Sequence, residues 1–373
     1  MNQVKQERDY SLDLIRILAG FFVISGHFFL CINFLTNTVY GKRYVIACTM
    51  WHFFRCSVPL FLMLTGYLMC KKVYSRSYFR GITGTLLIYL LASLASVPVH
   101  MYLGETYSFK RVILGTLQFT LAPYSWYIEM YIGLFFMIPF LNKIYNGSSK
   151  REKNFLIILL LLITALPQVL NIFDMSAPGW WRHPLQHLGY QKVLPEYWTE
   201  LFPFTYYFIG CYLAEFRPRL SARKTGLVFG LLILHIVLGG LFNYYINAVN
   251  EALFYRGIWQ AWGSIMNVIT AVLVFVLCLQ VKTSAWGEKT KKFVRYLSGL
   301  TLGTYLMSWA FDYTFYNPTF GKFTDGKMHL EFFLPMVLAI YVCSALASAV
   351  LNLIKDGILK LISKLHRSKA LAS

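Results

Sequence analysis

Apolar runs of about 20 residues follow one another along nearly the whole chain, separated by short segments that hold almost every Lys and Arg. At about 1.5 Å of rise per residue, such a run is what one helix needs to cross the hydrocarbon core of a bilayer. Ten can be marked, near 12–35, 45–70, 79–103, 124–142, 154–172, 199–216, 225–247, 258–281, 297–316 and 330–355. The expectation is an all-α, polytopic integral membrane protein of about ten transmembrane helices, with residues 1–373 forming a single membrane domain. A mean hydropathy of +0.52 agrees, because one soluble core cannot bury that much apolar surface.

A formal charge of +19 would suggest nucleic acid in a soluble protein, so the placement of the cations decides its meaning. Of the 35 Lys and Arg residues, 24 fall before the first run, after the last, or in the even-numbered connections. The odd-numbered connections hold 9, and Arg16 and Arg55 lie inside runs, with Arg80 and Lys355 at run ends counted with the adjoining segments. This alternation follows the positive-inside rule and places both termini in the cytoplasm. Lipid, rather than nucleic acid, is therefore the expected partner of the excess charge. The seven cysteines form no C-x-x-C pair, so neither a disulfide frame nor a metal site is expected. Asp13 and Arg16 interrupt the first run and no small-residue cleavage site follows, so it reads as a retained span. No phosphate loop or internal repeat is present.

Charges inside hydrocarbon are costly and usually mark a working site. Arg16 and His27 are separated by eleven residues, close to three whole turns, and so share one face of the first helix near Asp13 and Gly20. A polar face on an embedded helix predicts a lined cavity. His27 falls about 22 Å up from the start of its run, in the outer half of the membrane. His52 and Arg55 on the second run, Glu129 on the fourth and Asp312 on the ninth fall in a similar outer layer. A histidine tuned by a carboxylate can act as general base toward a hydroxyl near neutral pH, although depth alone does not say which acid is adjacent. Near the opposite surface, Lys71, Lys72, Arg76 and Arg80 crowd together and Arg16 lies only about 6 Å deep, a grouping able to grip donor phosphates. The bland readings are an ion pair for Asp13 with Arg16, an interface anchor for His52 beside Trp51, and loop residues for His183 and His187.

The stretch RDYSLDLIRILAGFFVISGH resembles the opening signature of the membrane-bound acyltransferase type 3 family. RCSVPLFLMLTGYLM is similar to its second-helix block, with Arg55, Pro59, Phe61, Gly66 and Tyr67 in place and Thr65 for the common Ser. YSWYI at 124–128, PFTYYFIGCYLAE at 203–215 and LSGLTLGTYLMSW at 297–309 are looser matches to later blocks. The resemblance implies ten helices and transfer of an acyl group, commonly acetyl from acetyl-CoA, to a hydroxyl of a cell-envelope carbohydrate. It assigns the essential histidine to His27 and arginine roles to Arg16, Arg55 and Arg80. The chain departs from the family at Ser308, where a second histidine is common. It also lacks the hydrolase-like C-terminal domain of some relatives, which implies direct transfer to the acceptor.

The resulting expectation is a multi-pass acyltransferase of the cell membrane, the bacterial cytoplasmic membrane in particular. Its donor is acyl-CoA, its acceptor a glycan or lipid-linked sugar, and it has no permanently bound cofactor. The catalytic candidates are His27 and Asp13, with Asp13 orienting Arg16. Arg16, Arg55, Arg76 and Arg80 are candidates for donor binding or charge stabilisation, and His52, Glu129, Asp312 and Trp126 for the acceptor site. A homo-oligomer is compatible with this reading. The rival is an exporter of polysaccharide intermediates, against which stands the lack of paired broken helices and of repeat symmetry.

Overall fold

The computed structural model describes residues 8–32, 34–174, 179–180, 182, 192–249, 253–254, 256–320 and 328–372. Among them the chain is helical and has no β-strand, only an isolated bridge between Thr38 and Leu253. The helices are α1 (Tyr10–Cys31), α2 (Gly41–Phe54), α3 (Ser57–Met69), α4 (Arg76–Arg80), α5 (Thr83–Tyr102), α6 (Phe109–Leu117) and α7 (Trp126–Gly147). They continue with α8 (Lys150–Leu160), α9 (Pro167–Leu170), α10 (Phe202–Glu215), α11 (Ala222–Ala248), α12 (Ile265–Leu279), α13 (Glu288–Phe320) and α14 (Phe333–Ala372). Among the described residues eight stretches are long and apolar enough to cross a membrane, which makes this a multi-pass membrane protein.

Two of the ten expected spans fall outside those eight, one by length and one by polarity. The sixth, α10, has only 14 helical residues, and the ninth, α13, carries Ser298, Thr301, Thr304, Ser308 and Asp312 on buried positions. Both pack within the bundle, α10 against α3 and α13 against α1 and α14, so neither needs a lipid-facing apolar surface. Apolarity identifies helices that touch lipid and underrates those enclosed by other helices.

α3 and α10 cross with backbones in direct contact. A Cβ on Gly66 would strike the carbonyl of Tyr207, and one on Gly210 the carbonyl of Met63. Small residues permit this approach, which membrane helices rely on because lipid supplies no hydrophobic drive for association. Carbonyls at and just beyond the end of α3 are met from α7: Asn142 Nδ2 donates to Met69 O (2.8 Å) and Lys72 O (2.7 Å), and Asn146 to Cys70 O (2.9 Å).

The second expected span is broken at Arg55–Cys56. Pro59 explains the break: it has no N–H for the carbonyl of Arg55, and its ring occupies the space that carbonyl would need in a continuous helix. A second irregularity is the π-helical segment Leu161–Ala165 just before Pro167. Broken helices are therefore present, although the sequence displays no pair of them in matching halves.

α1 and α13 run parallel. Asp13 meets Ser298 at one end, His27 meets Asp312 at the other, and the Thr301 methyl sits in the space beside Gly20 between them. Both helices advance fourteen residues between the two contacts, about 21 Å, so the pairs are locked in register.

Candidate functional site

The side of the bundle holding the start of α1 is termed proximal, and the side holding its end distal. On the distal side His27 Nδ1 lies 3.4 Å from Asp312 Oδ2. The carboxylate is fully buried and accepts a hydrogen bond from Tyr124 Oη (2.8 Å), while the Tyr124 ring packs on the imidazole at a centroid distance of 3.9 Å. His27 Nδ1 and Asp312 Oδ1 make no hydrogen bond, so a small ring rotation is enough to close an Nδ1–H···O bond. With Nδ1 turned to Asp312, Nε2 is the nitrogen left for chemistry.

His27 lines a cavity of about 240 Å³ together with Trp51, Arg55, Tyr124, Trp126 and Trp262. Arg55 projects into it from the helix break. Its Nε and Nη2 donate to the carbonyl of Gln260 (3.1 and 2.7 Å), and its guanidinium lies 3.5 Å above the Trp262 ring. Trp126 stacks on Trp262 from the other direction, centroids 5.7 Å apart. At the exposed mouth, Arg256 rests 5.4 Å from the Trp51 ring centre.

The proximal cavity, about 300 Å³, is lined by Arg16 with Thr65, Tyr127, Tyr131, Thr301 and Tyr305. Arg16 Nη1 donates to Ser298 Oγ (2.9 Å) and lies 3.5 Å from Asp13 Oδ1. Asp13 in turn accepts from Ser298 Oγ (2.7 Å) and is held by both Nε (2.7 Å) and Nη2 (2.8 Å) of Arg8. The two cavities abut at Val23, Val58 and Tyr305, which line both. Tyr305 is fixed there by a hydrogen bond from its hydroxyl to the carbonyl of Tyr124. Thus the polar face of α1 opens on two adjoining chambers with a shared wall, where the sequence suggested one groove.

Several expected residues meet here and others do not. His27, Asp312, Arg55 and Trp126 converge on the distal chamber, and Arg16 with Asp13 on the proximal one. Asp13 lies about 21 Å along α1 from His27, so it is no partner of that ring. Arg55, grouped with Arg16 by sequence, belongs with His27. His52 points away from the cavity: its buried ring packs against Gly239 and lies 5.3 Å from His235. Neighbouring side chains on a helix diverge, and the face that carries Trp51 and Arg55 inward turns His52 toward α11. Glu129 is exposed on the first turn of α7, outside both chambers. Arg76 and Arg80 are exposed and line neither chamber, although the proximal one reaches Leu68, Met69 and Thr85, close to them in the chain. Ser308 is buried and donates to the carbonyl of Tyr305 (2.9 Å). His183 and His187, with most of the expected outer cap, lie outside the described residues.

Sequence reasoning missed Tyr124, Ser298, Arg8, Arg256, Tyr127 and Tyr131. The tyrosines read as packing residues, and Arg256 as one loop charge among many.

A family model for an acyltransferase domain, that of the acyltransferase 3 family, matches residues 9–351. The chain belongs to the acyltransferase 3 family. No curated protein and no solved structure matches it. In this acyltransferase the matched region contains every element of the two chambers except Arg8.

Proposed function

We propose that this chain takes an acyl group, acetyl in the first instance, from acyl-CoA and transfers it to a hydroxyl of a cell-envelope glycan or lipid-linked sugar. The observation that carries the reading is the His27–Asp312 pair on the wall of a cavity otherwise built of indoles and a guanidinium. Asp312 orients the imidazole through Nδ1, leaving Nε2 as base. The acceptor hydroxyl loses its proton to Nε2 as its oxygen bonds to the thioester carbon. The carbonyl oxygen carries the negative charge until the C–S bond breaks, and Nε2 returns the proton to the departing CoA sulfur. Arg55, in the same chamber, supplies positive charge to that intermediate. Arg16, about 16 Å away along α1, acts on the distal parts of the donor rather than on the reacting carbon.

In this reading the donor arrives by the proximal chamber, with Lys71, Lys72, Arg76 and Arg80 around its approach, and the Val23, Val58 and Tyr305 wall yields to its acyl arm. The proximal side is then cytoplasmic and the protein sits in the cell membrane. Ten crossings fit this arrangement. α1 and α13 run parallel only if α10 also crosses, since otherwise α13 would be the eighth span and antiparallel to the first.

Membranes containing this protein alone, given labelled acetyl-CoA and candidate glycolipids, should form acylated product. The H27A variant should be folded, bind donor and make none. Product formed by H27A at the wild-type rate would remove the proposal, and movement of acceptor across the membrane without donor consumption would favour the exporter reading.

A further inference from the structure

Arg55 and Arg256 differ from the other intramembrane or cavity-facing cations in having no acid to answer them. Among the described residues neither forms an ion pair: Arg55 is held by the neutral carbonyl of Gln260 and the faces of Trp262 and Trp51, and Arg256 by the face of Trp51. No Asp or Glu lines their cavity. The nearby Asp312 is already occupied by Tyr124 and turned to His27. Both guanidinium groups also lie against the Trp51 ring, 5.6 and 5.4 Å from its centre, and line the same cavity, so two like charges face one small space. Arg16 provides the contrast, since its charge is met by Asp13.

We propose that the distal chamber is built for an acceptor sugar bearing a negative group, a carboxylate or a phosphate, close to the hydroxyl that is acylated. The proposal rests on the acyl-transfer reading and adds the charge class of the acceptor. An anion between Arg55 and Arg256 removes their mutual repulsion and gains two charge-assisted contacts where water is sparse. The guanidinium fork suits the planar oxygens of a carboxylate and the oxygens of a phosphate. Trp126, the most exposed of the three indoles that line the chamber, offers apolar ring surface to the C–H side of a pyranose. At about 240 Å³ the chamber lies at the small end of ligand sites, which suits one sugar residue beside His27 rather than an oligosaccharide.

The test uses the whole protein in nanodiscs of neutral phosphatidylcholine. Intrinsic tryptophan fluorescence is followed while octyl glucoside, octyl glucuronide or octyl glucoside 6-phosphate is added. Either anionic probe should bind at least tenfold more tightly than octyl glucoside, with an advantage that shrinks as salt rises. The stronger of the two identifies the anion. R256Q should erase the preference and R256K should keep most of it. Arg256 is exposed at the mouth, so these variants keep the test alive even if R55Q fails to fold. Equal binding of all three probes overturns the proposal. So does a result in which R256Q weakens acetyl-CoA binding and leaves the probes unaffected, since the arginines would then serve the donor. Labelled-acetyl transfer run in parallel separates the two readings: tight anionic binding without any acylation rejects the enzymatic function, whereas equal acylation of neutral and anionic acceptors rejects this inference alone.

Discussion

The two chambers along α1 treat positive charge in opposite ways. In the proximal one Arg16 is fastened to Ser298 and Asp13, and Asp13 is shared with Arg8, so the charge is balanced and its geometry fixed. In the distal one the acid is spent on a histidine, and the arginines lean on indoles and a peptide carbonyl. A balanced cation keeps a fixed donor set available for a ligand that brings several charges of its own. Unbalanced cations beside a carboxylate-oriented histidine leave the site short of negative charge, which is the condition for stabilising an anion that appears during reaction. Both chambers depend on the same parallel pair, α1 and α13, which sets their spacing.

Substitutions should separate the chambers kinetically. H27A should lower kcat by about 10²–10⁴-fold, the range for losing a general base, with little change in the KM for acetyl-CoA. R16Q should do the reverse, raising the donor KM more than it lowers kcat. Equal effects on both parameters from both variants would mean that the chambers act as a single site. G66A should injure the two together. α3 contributes Val58 to the shared wall, and a methyl at Gly66 meets the unyielding backbone of Tyr207. A loss of about 3 kcal/mol, the upper end for overpacking, is expected and can be read as a fall in Tm in detergent.

How much of this was legible in the sequence follows from the physics of each feature. The Arg16 and His27 face needed only helical period, and the shared level of His27 and Asp312 needed only residue rise, so both were visible. Which acid touches His27 was not, because contact between α1 and α13 depends on Gly20 accepting the Thr301 methyl, a packing fact without a local signal. The facing of His52 was misread for a related reason. Depth places a residue in a layer, whereas azimuth around the helix axis depends on which neighbour packs where, and here Gly239 leaves room for the ring on the α11 side. The break at Arg55 was in principle readable from Pro59. α10 and α13 were marked as apolar runs like the other eight, although α10 is short and α13 carries buried polar residues that a helix enclosed by others can hold.

Smaller effects sharpen the contrast further. D13N should raise the donor KM by roughly tenfold, the scale of one charge-assisted contact, and leave acceptor KM unchanged. A shift in acceptor KM instead would show that Asp13 reports to the distal chamber. Least of all should come from the loop beyond α5, where Glu105 accepts from His100 (2.9 Å) and Arg111 (2.7 Å), outside both chambers. The hydrogen bond with His100 holds the Glu105 carboxyl below its ordinary range. Its contribution to stability is therefore present above the usual glutamate pKa and lost as pH falls through the lowered value. E105Q should flatten that slight acid dependence of Tm and change neither KM.

A double-mutant cycle on labelled-acetyl transfer, comparing wild type, H27A, D312N and H27A/D312N with donor binding measured alongside, bears most directly on the distal pair. If Asp312 acts through His27, D312N alone costs about 10²-fold or more, and the double variant is no slower than H27A. Losses that simply multiply, or a D312N protein that transfers acetyl at the wild-type rate, would contradict the account.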